Sequence, residues 1–432
     1  MELQHSLNVL APVLPGQLGE LNSLLAAIAT DVENNDILPF RKLAKVHFAR
    51  LLVLSDSIDL TGRTIPAQLV LATDFDGKLE AHLTELVDVF GAGLDRVFGH
   101  CEGYPPRSGR VPQARLAYLK QRLIPTHALY VNTVGRTVRQ VADEARLRGE
   151  IETFLDASNA VSVLRDPSEI REAIRAFVAS QSHLRWALTA PDSTLGARLW
   201  RMSQVGLAAV AFVAACVMMV RLPWILVLPA AFLVVLRIHE ILNRPDDRIP
   251  PDDRLKANER PEDIRLQNQL SAVGYVQRGL FRRILVRAAL WLIDFGARNI
   301  YYRGHLAGIE TIHMARWVII DNGRRIIFLS NYDGSLESYN NDFVDRVPFG
   351  LNLVFSNGQG WPRTALLVFG GASDEQAFKF FLRDHQVPTQ VWYVAPAYAR
   401  VTTLNAAQNT RIRMGLTGRL TRKETREWLR LL

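Results

Sequence analysis

Two histidine–arginine pairs are the residues best placed by type to do chemistry. The first is His47 and Arg50 in Val46-His47-Phe48-Ala49-Arg50, and the second is His313 and Arg316 in Ile312-His313-Met314-Ala315-Arg316. An imidazole can move a proton near neutral pH, and a guanidinium can hold an anion. Each pair is followed by an acid, Asp76 in Asp74-Phe75-Asp76-Gly77 and Asp333 in Asn331-Tyr332-Asp333-Gly334. A separate run, His100-Cys101-Glu102, sets an imidazole, a thiol and a carboxylate beside Gly103, whereas the matching Asn357-Gly358-Gln359 cannot titrate. Three adjacent side chains point different ways, and the spacing fits no standard metal site, so no metal is expected there.

The pairing extends along the chain. From Gly77 to Gly103 is 26 residues, and from Gly334 to Gly360 is again 26. A third block repeats in order, Pro125-Thr126-His127-Ala128-Leu129-Tyr130-Val131 against Pro388-Thr389-Gln390-Val391-Trp392-Tyr393-Val394. Three blocks in one order with one spacing kept read as an internal duplication, whose copies usually pack about a pseudo-two-fold axis. On a strand, residues i and i+3 face opposite ways, so a His and Arg of one pair share a pocket only across a bulge. Retention in both copies favours a structural role, with His bonded to backbone and Arg paired with Asp76 or Asp333. The Asp-Gly pairs read as helix caps at tight turns.

Lys45–Ser55, Gln68–Thr73, Thr311–Ile320 and Arg325–Ser330 read as strands, with Asp321-Asn322-Gly323-Arg324 a tight turn. Leu79, Leu83, Leu86, Val87 and Phe90 recur at helical spacing. Further strands fall at Ala128–Asn132, Ala365–Phe369 and Gln390–Ala395, and helices at Val134–Leu155, Asp374–Leu382 and Tyr398–Met414. This order suggests an α+β fold of duplicated ferredoxin-like units pairing into a barrel.

The arrangement resembles the dimeric α+β-barrel superfamily, which includes dye-decolourising peroxidases and chlorite dismutases, over roughly residues 43–158 and 309–415. Thr73-Asp74-Phe75-Asp76-Gly77 and Ser330-Asn331-Tyr332-Asp333-Gly334 keep the Asp-Gly pair of the peroxidase motif without its leading Gly. The resemblance implies haem as cofactor. His313 or His47 would then be its ligand or an acid–base group, Arg316 or Arg50 would polarise a peroxide, and Asp76 or Asp333 would be the distal acid.

Between the copies, only Arg221 is charged from Val205 to Leu236. A spanning helix needs about 20 apolar residues. The run is too long for one helix and is interrupted by Arg221-Leu222-Pro223, so a helical hairpin is expected, with legs Val205–Val220 and Trp224–Arg237. Two repeats that pack together must lie on one side of a membrane, here the cytoplasmic one. Phe281–Arg298 carries Arg283, Arg287, Asp294 and Arg298 on one stripe and Phe281, Ile284, Leu285, Ala288, Leu292 and Phe295 on a wide apolar face. That fits either an interfacial helix or one packed on the core.

The expected organisation is therefore an N-terminal helical segment (1–42), a first repeat (43–158), a helical connector (159–204), the hairpin (205–242), a linker with the amphipathic helix (243–308), a second repeat (309–415) and a C-terminal helix (416–432). With 48% hydrophobic and 22% charged residues the chain is ordinary for a folded protein, and its two cysteines exclude a disulfide framework. The net charge of +8 clusters around apolar segments, which points to lipid headgroups as partners rather than nucleic acid. No P-loop, nucleophile elbow or dinucleotide fingerprint appears. Two functions follow: a membrane-associated α+β-barrel protein binding a hydrophobic or haem-like ligand between its repeats, peroxidase-like in chemistry, or a non-catalytic membrane scaffold or lipid-interaction protein.

Overall fold

A computed structural model describes residues 3–157, 166–189, 195–242 and 266–432. The chain begins with strand β1 (Gln4–Pro12), helix α1 (Leu18–Thr30), strands β2 (Val46–Leu54) and β3 (Gln68–Asp76), helices α2 (Leu79–Phe98) and α3 (Pro112–Gln121), strand β4 (Ala128–Val131) and helix α4 (Val138–Ala157). Helices α5 (Pro167–Ser180), α6 (Leu195–Arg221) and α7 (Val227–Leu242) follow. A second series then runs β5 (Gln267–Tyr275), α8 (Leu280–Asn299), β6 (Ile312–Ile320), β7 (Arg325–Asp333), α9 (Leu336–Arg346), α10 (Pro348–Phe355), α11 (Glu375–His385), β8 (Val391–Val394), α12 (Thr403–Thr417) and α13 (Arg422–Leu429). The fold is mixed α+β, as expected.

The long strands form two four-stranded antiparallel sheets, in the orders β1-β3-β2-β8 and β4-β6-β7-β5. The last strand of each series lies in the sheet of the other. Val391–Val394 pair with Leu51–Phe48, and Ala128–Val131 pair with Trp317–Met314. The expected closed barrel is not formed, because both sheets stay open. Pro125 and Pro388 precede the exchanged strands, and a proline has no N–H to carry a ladder through the corner. Only short contacts reach round it. Leu10 N–H donates to the Arg122 carbonyl (3.0 Å), Ile124 N–H to the Asn8 carbonyl (2.9 Å) and Val387 N–H to the Ser271 carbonyl (2.7 Å).

Leu52, Leu54, Val70 and Ala72 of one sheet meet Val318, Ile320, Ile327 and Leu329 of the other. The opposite face of the first sheet is covered through Leu21, Leu25, Leu83 and Phe90 of α1 and α2. Val286, Leu290, Tyr339 and Phe381 of α8, α9 and α11 cover the second. Strands buried on both faces read as continuous apolar runs, which is why the central strands were visible in the sequence.

Several boundaries move. The segment 1–42 opens with β1, a strand whose Leu7, Val9 and Ala11 alternate into the core, and 243–308 contains its counterpart β5. Asp252-Asp253 and the rest of 243–265 lie outside the described residues. Ala365–Phe369 is not one strand but a tight turn at 366–368, with Leu366 and Leu367 at φ of 53° and 65°, between the two-residue strands Thr364–Ala365 and Phe369–Gly370. Helix α8 packs Val286, Ala289 and Leu290 inward while Ile284, Trp291 and Leu292 stay exposed, so each expectation for it describes one side.

The apolar stretch folds as two helices joined at 222–226, and Arg221 ends the first. Within α6, Leu199–Arg221 is long and apolar enough to cross a membrane, with mean hydropathy 2.1 and none of it buried. At about 1.5 Å per residue it spans roughly 34 Å, against a hydrocarbon core of about 30 Å. Helix α7 is shorter, at 16 residues.

Candidate functional site

The ladder between β2 and β3 skips one residue between Val46 and Phe48, and that between β6 and β7 skips one between Ile312 and Met314. The residues left over are His47 and His313. A bulged residue is freed from ladder pairing, and here each ring turns onto the last residue of the neighbouring strand. His47 Nε2 lies 2.9 Å from Asp76 Oδ1, and His313 Nε2 lies 2.7 Å from Asp333 Oδ1. All four side chains are buried.

The other carboxylate oxygen of each Asp caps a helix, though not the one that follows it in sequence. Asp76 Oδ2 accepts from Val138 N–H at the start of α4 (2.8 Å). Asp333 Oδ2 accepts from the N–H and hydroxyl of Thr403 at the start of α12, both at 2.8 Å. The helices that do follow are entered otherwise, α9 through the Ser335 hydroxyl and α2 with no side-chain cap. The expected capping role is thus transferred to helices more than sixty residues on, and the His rather than the Arg holds the Asp.

The arginines serve a separate network. Arg50 crosses from the first sheet to the second and donates to the carbonyls of Leu270 and Ser330, both at 3.0 Å, to Ser271 Oγ at 2.9 Å and to Asn331 Oδ1 at 2.5 Å. Arg316 crosses the opposite way. It donates to the carbonyls of Leu7 and Thr73, both at 3.0 Å, to Asn8 Oδ1 at 3.2 Å and to Asp74 Oδ2 at 3.1 Å. Burial pulls the Arg50 guanidinium down to about 9, with the nearby charge of Arg316 adding to the shift. Burial also lowers Arg316, against which Asp74 acts. The bulge therefore does not bring His and Arg of one pair into a shared pocket.

The remaining ring nitrogen of His47 lies 2.6 Å from Tyr398 Oη. Burial holds that phenol well above its ordinary value, so the hydroxyl keeps its proton, and it hydrogen-bonds Nδ1 while Nε2 faces Asp76. Phe48 stacks on Tyr398, and the His313 ring packs against both, tilted to Phe48 at 5.3 Å and edge-on to Tyr398 at 5.1 Å.

These residues do not fit a haem. Both nitrogens of His47 are engaged, Nε2 of His313 is engaged, and aromatic rings fill the space beside them. The clefts lined by Gln17 and His100, by His5 and Arg201, by Glu240 and Arg282, and by Asp36 and Phe90 touch neither histidine. The Nε2 atoms of both histidines and the carboxylate oxygens of Asp76 and Asp333 are spent on one another and on the starts of α4 and α12.

No family model, curated protein or solved structure matches the chain.

At the other candidate, His100 Nδ1 bonds Gln17 Oε1 at 2.8 Å, while the Cys101 thiol is buried and pushed up to about 12. Among the described residues no group of three or more His, Cys, Asp and Glu is arranged to hold a metal.

Sequence reasoning missed Tyr398, Asp74 and Glu240. Glu240 is the single acid between Leu195 and Leu242, a signal that was available. Its nearly buried carboxylate accepts from the N–H groups of Leu366 (3.0 Å) and Leu367 (2.9 Å), and Arg237 pairs with it at 3.0 Å. The two left-handed residues of that turn aim their N–H groups at one anion, which docks the end of α7 on the second sheet's side.

Proposed function

We propose that this protein is a non-catalytic, membrane-anchored α+β platform. In this reading the two series are copies of one ferredoxin-like unit that have exchanged their fourth strands. The corner segments at 122–124 and 386–387 link the edges of the two open sheets through single bridges. The observation that carries the membrane reading is the apolar surface of α6 and α7. Leu207, Val210, Phe212, Val220, Trp224 and Leu228 are each more than 60% exposed. Contiguous exposure of this kind is unfavourable in water and natural in lipid.

The strand exchange supports a hairpin rather than a single crossing. Because β4 belongs to one sheet and β8 to the other, the two series cannot be separated by a bilayer. The chain must therefore enter and leave on one face. Arg198, Arg201 and Arg237 flank the hairpin at that face, which favours the cytoplasmic side. The outer side of α8, with Ile284, Trp291 and Leu292 exposed, extends the apolar surface at the foot of the hairpin.

The two natural cysteines give a direct test. Cys216 is exposed on α6 and Cys101 is buried. In intact membranes an impermeant, thiol-reactive polymer should fail to modify Cys216, and detergent should not strip Cys101 of its protection. Rapid labelling of Cys216 in intact membranes, with release of the chain by alkaline carbonate, would sink the membrane reading. Added haemin should keep the broad Soret absorption it has without protein, and a sharpened, shifted band saturating at a stoichiometric ratio would revive the haem alternative.

A further inference from the structure

A cleft of about 360 Å³ lies at the foot of α6, where the start of β1, strand β4, the last turn of α8 and the first turns of α6 converge. Val131 is buried and Leu129 and Val134 are half-buried along it, and Trp200 stands exposed beside it. Arg201 and Arg298 complete the lining. The Arg201 guanidinium is stacked over the Tyr302 ring at 4.1 Å, which fixes its plane, and no carboxylate among the described residues pairs with it. Arg298 is held through Nε by Asp294 at 2.7 Å, and Asp294 in turn accepts from Leu129 N–H at 3.1 Å. The second cation is thus anchored to the strand that forms the apolar wall.

We propose that this cleft holds one anionic phospholipid of the adjoining leaflet, its phosphate between Arg201 and Arg298 and the first part of an acyl chain against Leu129, Val131 and Val134. The inference rests on the membrane-anchored reading of α6 and adds to it the class of lipid and the site. A lining that combines two guanidinium groups with aliphatic carbon suits an amphiphile with a single anionic head. A free phosphate would satisfy the arginines and leave the apolar wall unused. The volume is at the small end of ligand cavities, which fits a headgroup and part of a chain, with the rest of the lipid remaining in the bilayer. The position agrees as well. Arg201 lies two residues into the apolar stretch that begins at Leu199, at the depth where headgroups sit. His5 on the same lining does not add a third charge at neutral pH, because burial and the Arg298 charge lower its pKa.

The test uses the full-length chain in nanodiscs of phosphatidylcholine containing a minority of phosphatidylglycerol, released into a native mass spectrometer. One phosphatidylglycerol should be retained per chain in preference to phosphatidylcholine. Arg201→Glu should reduce that retention about tenfold, the loss of one charge-assisted contact. Gln204→Trp, which fills the cleft from a half-exposed position without altering charge, should reduce it as well, and so serves if the Glu variant does not fold. Inorganic phosphate at the same concentration should leave the melting temperature unchanged. Equal retention of the two lipids, retention unaffected by Gln204→Trp, or stabilisation by inorganic phosphate would each overturn the lipid site while the chain stays anchored. A chain that cannot be incorporated into nanodiscs would overturn the anchor and this site together.

Discussion

The two cross-sheet arginines sit in matching surroundings that differ in charge at one position. Arg316 ends on Asp74, and Arg50 ends on the equivalent Asn331. Leu7 corresponds to Leu270, Thr73 to Ser330 and Asn8 to Ser271, so the backbone and hydroxyl or amide partners are conserved in kind between the halves. The carboxylate is not. Two buried guanidinium groups therefore share one counter-ion, and Asn331 Nδ2 donates to that same Asp74 at 3.3 Å. The difference shows why the symmetric plan tolerates only one acid. A second carboxylate would face the first across a distance now bridged by an amide hydrogen, while carbonyl oxygens already satisfy most of the second guanidinium.

Removing that one acid is the strongest way to break the comparison. Asp74→Asn should leave two buried cations with no counter-charge and cost on the order of 3–5 kcal/mol, the usual penalty for stranding a buried charge. Urea unfolding in detergent measures it. Adding Asn331→Asp to the same chain moves the acid to the other half and should recover at least half of the loss. Failure of the exchange to rescue would mean that the two sites are not equivalent in the way the hydrogen bonds indicate.

Much of this frame was legible in the sequence, and the parts that were not share a cause. The repeated His, Arg and Asp positions were found because both copies keep them, and the strands around them because burial on two faces makes them apolar. The strands β1 and β5 were missed because each opens on three polar residues, Gln4-His5-Ser6 and Gln267-Asn268-Gln269, and lies upstream of the first repeated blocks at Val46 and Ile312. The His–Asp pairing was missed because it depends on a bulge, a one-residue surplus that no periodicity displays. The exchange of β4 and β8 was invisible for a deeper reason. Each short strand has the same local pattern whichever sheet it joins, and only the corner at Pro125 or Pro388 decides.

The histidines differ between halves as the arginines do, by one partner. His47 is held at both ring nitrogens and His313 through Nε2. His47→Ala should therefore destabilise more than His313→Ala, within roughly 1–3 kcal/mol for a buried polar group left unpaired. Tyr398→Phe removes only the extra hydrogen bond and should cost about 1 kcal/mol. In the Tyr398→Phe background the two histidine substitutions should become nearly equal. Chemical denaturation of the native chain, the three single variants and the two double variants decides it, and a persistent gap would place the difference elsewhere in the two halves.

The smallest effect concerns the connection between the two central strands, which is a long loop in the first half and an Asn-Gly turn in the second. Asp59 in the long loop bridges to Arg324 beside the short turn at 2.8 Å. The hydroxyl of Thr61, then the N–H of Arg63, hold the Asp59 carboxyl down to about 2 from an ordinary 3.8, with Arg324 contributing least. The unfolded chain therefore takes up this proton more readily than the folded one. The stability that Asp59 provides is fully present above roughly pH 4 and is lost as the pH falls toward about 2. The melting temperatures of the native chain and of Asp59→Asn should be furthest apart above that window and converge through it. Thr61→Ala should narrow the gap more than Arg324→Ala, because the loop's own hydrogen bonds outweigh the contact between halves. The reverse order would mean that the ion pair to the second half, rather than the loop itself, sets the acid sensitivity of this corner.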